Sequence, residues 1–315
     1  MPLRIVYCGT PAFALPALRH LIAQPDFQIE GVVTQPDRPR GRGNLVSSSR
    51  VKDAALEAGI AVYQPERIKS ESARDYFKRA APDVVVIVAY GQIIPAALLE
   101  IPRLGWVNLH ASLLPKYRGA APVNWAIVNG ETRTGVTIMQ VEAGLDTGPI
   151  LMRHETEIGP DETAPQLAAR LAETGAPLVA ETLRKLAGGE LTLSPQDGSQ
   201  ASFAPLLKKD DGRINWSEPA EKIYDRIRGL DPWPGAFTFF REHTCAVWGR
   251  PGASLDPSAR PGVLAIFDGD VFVACGDGTA LRLDRVQLEG RKRVTALEFA
   301  NGARFAPGER FAAAM

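Results

Sequence analysis

The sequence predicts an α/β domain with a doubly wound, mostly parallel sheet, followed by a small C-terminal β-barrel. Three observations carry this. The chain opens as strand, tight turn and helix: Leu3 to Cys8 reads as a short buried strand, Gly9-Thr10-Pro11 turns, and Ala12 to Leu21 has helical apolar spacing. Val84 to Ala89 is an apolar run entered from Pro82-Asp83, the pattern of a strand buried on both faces in a parallel sheet. Beyond residue 206 the texture changes to short strands broken by Gly, Asp and Pro.

In order along the chain, Leu3 to Cys8 is followed by a second strand at Gln28 to Thr34. Later strands are Val84 to Ala89, Trp106 to Leu109 and Gly135 to Val141, with helices over 50–59, 70–80 and 121–129 between them. This alternation gives a sheet covered by helices. Ala164 to Ala187 carries Leu167, Leu171, Leu178, Leu183 and Leu186 and stops at Gly188-Gly189, a suitable helix end. Pro177 inside it predicts a kink, because proline removes a backbone hydrogen bond. Residues 190–206 are polar and aperiodic and read as a linker, so the expected division is 1–189, 190–206 and 207–315. In the last part, Phe237 to Phe239, Cys245 to Trp248, Val263 to Phe267, Val271 to Ala274 and Ala280 to Val286 suit a small barrel or sandwich.

A length of 315 residues agrees with two domains at roughly 150 residues each. Basic and acidic residues balance at 36 each, so the chain is no polycation, and any nucleic-acid binding must come from a local patch. Cys8, Cys245 and Cys275 are far apart and form no C-x-x-C pair, which argues against a disulfide framework or cysteine zinc site and fits a cytoplasmic setting. His20, His110, His154 and His243 show no metal-ligand spacing, so no metal is expected. No signal-peptide pattern is visible, and no run of about 18 apolar residues is present to span a membrane.

Four segments carry chemical potential, each beside a plainer reading. In Trp106-Val-Asn-Leu-His110, strand alternation puts Asn108 and His110 on one face, roughly 6–7 Å apart. They stand at the carboxyl end of a buried strand, where ligands of open α/β sheets bind; otherwise they only cap the strand. Gly144-Leu-Asp146-Thr-Gly148 is a tight loop able to approach a ligand closely, or an ordinary Asx turn. Thr34 to Gly43 sets Arg38, Arg40 and Arg42 among prolines and glycines, as phosphate contacts or as a solvated basic loop. Ala89 to Pro95, including Tyr90, Gly91, Gln92 and Ile93, follows a buried strand and either admits a flat ligand or merely turns.

Taken together, these segments resemble the folate-dependent formyltransferases. That family's core is an Asn and a His two residues apart, then Ser-Leu-Leu-Pro, then a glycine-flanked Asp; here these are Asn108, His110, Ser112-Leu113-Leu114-Pro115 and Asp146. Three features narrow the resemblance to members acting on methionyl initiator tRNA. They are the Gln-Pro-Asp-Arg-Pro loop running to Gly43, Lys116 to Pro122 after the Ser-Leu-Leu-Pro, and a C-terminal part with Trp216 and Asp231-Pro-Trp-Pro234. Members often carry lysines just after the basic loop, where this chain has Asn44 to Ser49.

The resemblance implies a Rossmann-type catalytic domain and an OB-fold-like tRNA-binding barrel. It implies 10-formyltetrahydrofolate as a consumed co-substrate, with no permanently bound cofactor, and a monomer is expected. Asn108 would donate to the formyl oxygen. His110 would donate there or move a proton to the leaving nitrogen. Asp146 would orient His110 or take the amine's proton. Tyr90 to Ile93 and Ser112 to Pro115 would line the folate pocket, and Arg38, Arg40, Arg42, Lys208, Lys209, Arg291, Lys292 and Arg293 would meet tRNA. Basic and acidic groups nearly balance in 207–315, so this contribution requires clustering on one face. The alternatives are a formyltransferase for a small amine, such as a nucleotide sugar or glycinamide ribonucleotide, and a folate- or nucleotide-binding module without catalysis. A dinucleotide-dependent oxidoreductase fits worse, since Cys8-Gly-Thr-Pro-Ala lacks G-x-G-x-x-G.

Overall fold

The computed structural model describes residues 1–40, 45–253, 259–306 and 308–312, with the side chains of 39, 40, 45 and 46 outside that description. By internal contacts the chain forms two units. One holds Met1–Pro122, Arg133–Glu157 and Leu167–Pro205; the other holds Val123–Thr132, Ile158–Gln166 and Leu206–Met315.

The first unit is built on β1 (Leu3–Gly9), β2 (Phe27–Val33), β3 (Arg38–Arg40), β4 (Leu45–Ser47), β5 (Val62–Tyr63), β6 (Val84–Val88), β7 (Trp106–His110), β8 (Arg118–Gly119), β9 (Arg133–Gln140), β10 (Ile150–Glu157) and β11 (Phe203–Ala204). Its main sheet has the order β10-β9-β7-β6-β1-β2-β5. The five strands from β7 to β5 run parallel, and β9 and β10 are antiparallel additions at one edge. β6 is buried along its whole length, as its five consecutive β-branched residues require. Helices α1 (Leu15–Ile22), α2 (Arg50–Glu57), α3 (Glu71–Ala80) and α4 (Ala96–Leu99) come from the same part of the chain. Ser49 and Ser70 cap α2 and α3 by accepting from backbone N–H groups three residues on.

Helix α6 (Ala164–Gly188) forms as expected and continues through Pro177. The proline costs about 3 kcal/mol in a helix interior. Burial of Leu167, Leu171, Ala176, Val179 and Leu183 along one face outweighs it. Gly175 carries this helix close under β7: a Cβ there would lie 2.8 Å from Leu109 Cδ1. Leu109 therefore faces α6, opposite in direction to Asn108 and His110.

Of residues 190–206, expected to link, all but Leu206 fall within this unit. Ile150 and Ser194 exchange backbone bonds of 2.8 and 3.0 Å, and β11 pairs with β8 in parallel.

In the second unit, α5 (Pro122–Val128) is fixed by Asn124, whose amide donates to Gly229 O at 2.8 Å in α7 (Ala220–Gly229). The strands are β12 (Phe237–Phe240), β13 (His243–Pro251), β14 (Leu264–Phe267), β15 (Asp270–Ala274), β16 (Ala280–Leu288) and β17 (Val294–Thr295), followed by α8 (Ala296–Ala303). They form an antiparallel sheet, β12-β13-β16-β15-β14, with β17 on β16. The C-terminal segment closes it: Leu264 N–H donates to Glu309 O and Ala312 N–H to Phe239 O, tying both edge strands to one segment. Inside, Trp216 stacks on Phe311 and donates to buried Thr238.

Candidate active site

Asn108 and His110 stand at the carboxyl end of β7 and share a face. His110 is buried, with Nε2 2.9 Å from Tyr117 O and Nδ1 3.7 Å from Asp146 Oδ2. A carbonyl only accepts, so Nε2 carries a proton in both charge states and Nδ1 is the nitrogen that gains or loses one. At 3.7 Å, Nδ1 and the carboxylate are neighbours without a direct hydrogen bond. The same Asp146 oxygen accepts from Gly119 N–H at 2.8 Å. The Asn108 side chain is half-buried and makes no hydrogen bond among the described residues, so its amide is free to donate.

The Asp146 loop joins β9 to β10. Asp146 takes a left-handed backbone (φ 51°) and Gly144 has φ 130°, a conformation that favours glycine. At Gly148 a Cβ would sit 1.8 Å from Gln140 O, so no side chain fits. Gln196 holds this loop: its amide donates to Asp146 O at 2.8 Å and to Gly148 O at 2.7 Å, while its carbonyl accepts from Arg118 Nε and Nη2 at 3.1 and 2.7 Å.

The Ser-Leu-Leu-Pro stretch divides in two. Ser112 and Leu114 have no exposed surface, whereas Leu113 and Pro115 are half-buried. Ser112 Oγ donates to Lys116 O at 2.7 Å, bracing the turn. Buried Thr137 donates to Ser112 O at 2.6 Å and accepts from Leu114 N–H at 3.1 Å. Thr137 stands opposite His110 in the β7–β9 register.

The 89–93 loop is set by left-handed Ala89 and Gly91, with φ 47° and 87°. Tyr90 is buried, its hydroxyl lacks a partner among the described residues, and burial pushes the phenol well up from its ordinary value. Its carbonyl accepts from Gln35 Nε2 at 3.1 Å. Gln92 accepts from Ile68 N–H at 2.7 Å, and Ile93 is 93% exposed.

Among the predicted tRNA contacts, Arg42 lies outside the described residues, as does the side chain of Arg40. Arg38 is exposed on β3, and the adjoining Asp37 accepts from Lys52 and from Gln64, the latter at 2.9 Å. The Lys52 ammonium holds the Asp37 carboxyl below the usual range. In the second unit Lys208, Lys209, Arg291, Lys292 and Arg293 are all exposed. Lys209 lines a cleft with Thr244, Ala246, Gln287 and Gly290, and Gln287 Nε2 donates to Arg291 O at 2.9 Å. The Arg293 guanidinium lies 3.6 Å from the centroid of the Trp248 ring, on the strand that carries Thr244 and Ala246. Lys209 and Arg293 thus both lie along β13.

Sequence reading missed Gln196, Thr137, Gly119, Gln35 and the Asp37–Lys52–Gln64 anchor. Each acts through partners distant in sequence, which no local pattern marks. Among the described residues, no group of His, Cys, Asp and Glu is placed to hold a metal, and no helix is long and apolar enough to cross a membrane.

A doubly wound sheet with an Asn–His pair at its carboxyl edge and a glycine-bounded aspartate beside it defines a class. The chain belongs to the formyl transferase family: the family's main domain matches residues 3–183 and its C-terminal domain residues 206–304. The methionyl-tRNA formyltransferase of Solibacter usitatus is 49% identical over 308 residues, covering 98% of each chain. That of Geobacter sulfurreducens is 45% identical over 309 residues, covering 98% of this chain and 96% of the relative. Among solved structures, the sugar 3N-formyl transferase WlaRD, in the presence of dTDP and 5-N-formyl-THF, superposes with a TM-score of 0.68 at 19% identity, over 93% of this chain and 100% of that one. HypX from Aquifex aeolicus in complex with tetrahydrofolic acid does so with a TM-score of 0.62 at 16% identity, over 95% of this chain and 47% of that one. These two share the fold.

Proposed function

We propose that the chain transfers the formyl group of 10-formyltetrahydrofolate to the α-amino group of methionyl initiator tRNA in the cytoplasm. The observation that carries the chemistry is the free Asn108 amide beside a buried His110 whose Nδ1 faces Asp146 at 3.7 Å. A reference α-amino group has a pKa of about 7.7–8.0, so part of the nucleophile is already neutral near pH 7. The harder task is stabilising negative charge on the formyl oxygen. Asn108 donates to that oxygen; losing such a donor typically costs about 100–1,000-fold. The proton from the attacking amine passes to His110 Nδ1 or Asp146, and His110 returns one to the leaving nitrogen. For the folate, the 89–93 loop supplies an open apolar ledge: Ile93 is exposed, and at Gly91 a Cβ would meet only Gln35 Nε2 at 3.8 Å.

The tRNA assignment draws on 49% identity over nearly the full length to a methionyl-tRNA formyltransferase and on Lys209 and Arg293 lying together along β13. Guanidinium and ammonium groups clustered in this way meet phosphates despite a balanced net charge. The basic loop with Arg38, Arg40 and Arg42 is assigned to the acceptor end. The test is formyl transfer to charged initiator tRNA, charged elongator methionyl-tRNA, a nucleotide sugar amine and glycinamide ribonucleotide side by side. Initiator tRNA should be strongly preferred; efficient turnover of either small amine without tRNA activity would refute the assignment.

A further inference from the structure

The geometry points to Gln196 as a positioning residue that fixes the Asp146 carboxylate against His110, from a segment with no catalytic motif. This rests on the reading that His110 and Asp146 carry the chemistry.

Three features set Gln196 apart from an ordinary surface glutamine. Both faces of its amide are used. The NH2 bridges two carbonyls, Asp146 O and Gly148 O, and so grips the loop on either side of Thr147. The carbonyl accepts two bonds from Arg118, a residue only 8% exposed, whose forked guanidinium donors set the orientation of the amide. Only asparagine offers the same two N–H donors and carbonyl acceptor in one plane, and its side chain is one methylene shorter.

The loop it grips needs holding. Asp146 is a non-glycine residue in the left-handed region, with φ 51°. Short polar residues tolerate that region but do not prefer it. Without an outside clamp on its own carbonyl, the residue would relax and swing the carboxylate. Gly119 N–H holds Oδ2 at 2.8 Å, but one hydrogen bond to a side chain does not fix the backbone behind it.

The clamp is itself anchored at both ends. Ser194 exchanges backbone hydrogen bonds with Ile150 just beyond the loop. Ser202 Oγ accepts from Tyr117 N–H at 2.9 Å, and Ser202 O from Arg118 N–H at 2.8 Å. Residues 194–204 thus form a strap: one end binds the strand leaving the Asp146 loop, the other binds the stretch that holds His110, and Gln196 lies between.

The test uses the full-length enzyme and two variants. Gln196→Met keeps length but removes every polar contact. Gln196→Glu keeps the shape and the bonds from Arg118 but removes both donors. Misplacement of a reacting group by about 1 Å costs on the order of 100-fold. Both variants should therefore lose about 10- to 100-fold in kcat, with KM for charged tRNA and for 10-formyltetrahydrofolate changed by less than about 3-fold. In an Asp146→Asn background, where the carboxylate charge is already gone, Gln196→Met should cost less than about 3-fold more, because two residues acting as a unit are not additive. A fully active Gln196→Glu enzyme would mean that only the Arg118 contact matters, and would overturn the proposal. A fully active Gln196→Met enzyme, or the same large loss repeated in the Asp146→Asn background, would overturn it too. The underlying reading fails separately: normal turnover in Asp146→Asn sinks the catalytic assignment, whereas a crippled Asp146→Asn beside active Gln196 variants sinks only the positioning role.

Discussion

Thr137 offers a sharp test of how the site is supported. It lies fully buried on β9, opposite His110, and its hydroxyl both donates to Ser112 O at 2.6 Å and accepts from Leu114 N–H at 3.1 Å. Thr137→Val preserves volume and shape and removes only the hydroxyl. Ser112 and Leu114 have no exposed surface, so water does not take its place. Each buried backbone group left unpartnered costs about 1–3 kcal/mol, giving about 2–6 kcal/mol for the pair. Thr137→Ser keeps the hydroxyl and loses one methyl group, worth about 1 kcal/mol. The expected order of stability is wild type, then Ser, then Val. Urea unfolding followed by amide exchange in peptides covering 106–120 and 133–140 reads it for this unit. Turnover should follow the same order, because the 112–116 turn leads directly into Tyr117, the partner of His110. A Thr137→Val enzyme within about 0.5 kcal/mol of wild type, the range of a surface change, would refute the reasoning. So would a Ser variant less stable than the Val variant.

Other outcomes follow from the same geometry. His110→Ala and Asn108→Ala should each cut kcat by about 100-fold or more with tRNA binding nearly unchanged, measured by steady-state formylation and filter binding; near-normal turnover in either folded variant would remove it from the mechanism. Gly148→Ala, whose Cβ would fall 1.8 Å from Gln140 O, should displace the Asp146 loop and cost about 100-fold in kcat/KM while circular dichroism stays native. Arg291→Ala should weaken tRNA use and flatten the salt dependence of KM by about one phosphate's worth of slope; an unchanged slope would take Arg291 out of the interface. Arg241 beside Glu309 holds that carboxyl below the usual carboxylate range. The lowered value makes the pair's contribution complete above the unfolded carboxylate range near about pH 4.3 and lost as pH falls through the folded value. Glu309→Gln should therefore flatten the acid-side decline in the melting temperature of the C-terminal barrel.

What was legible in the sequence and what was not divides along a physical line. β1, β6 and β7 were readable because burial on both faces writes an apolar run into the chain. Asn108 and His110 were readable because strand alternation alone puts them on one side. β10 was missed: it is an edge strand, exposed from Arg153 to Glu155, and leaves no apolar alternation to find. The helix continues past Pro177, because packing over 25 residues outweighs one local penalty. α7 and α8 went unread although their signals were present, Ile223 and Ile227 at helical spacing and a capping box from Thr295 to Glu298. Gln196 had no signal at all, since its partners are 48 to 78 positions away and its neighbours are polar and aperiodic.

Tyr117, Arg118 and Gly119 are consecutive, yet each secures something different: the carbonyl of the first meets His110, the guanidinium of the second orients Gln196, and the N–H of the third holds Asp146. The imidazole and the carboxylate are thus referenced to one mount barely three peptide units long. If thermal motion or an approaching substrate shifts that mount, both groups travel with it, and the separation between them changes far less than their absolute positions. Errors in the two placements are correlated rather than independent. The mount references the imidazole and the Asp146 side chain to each other, while the strap through Gln196 keeps the backbone behind Asp146 in register with it.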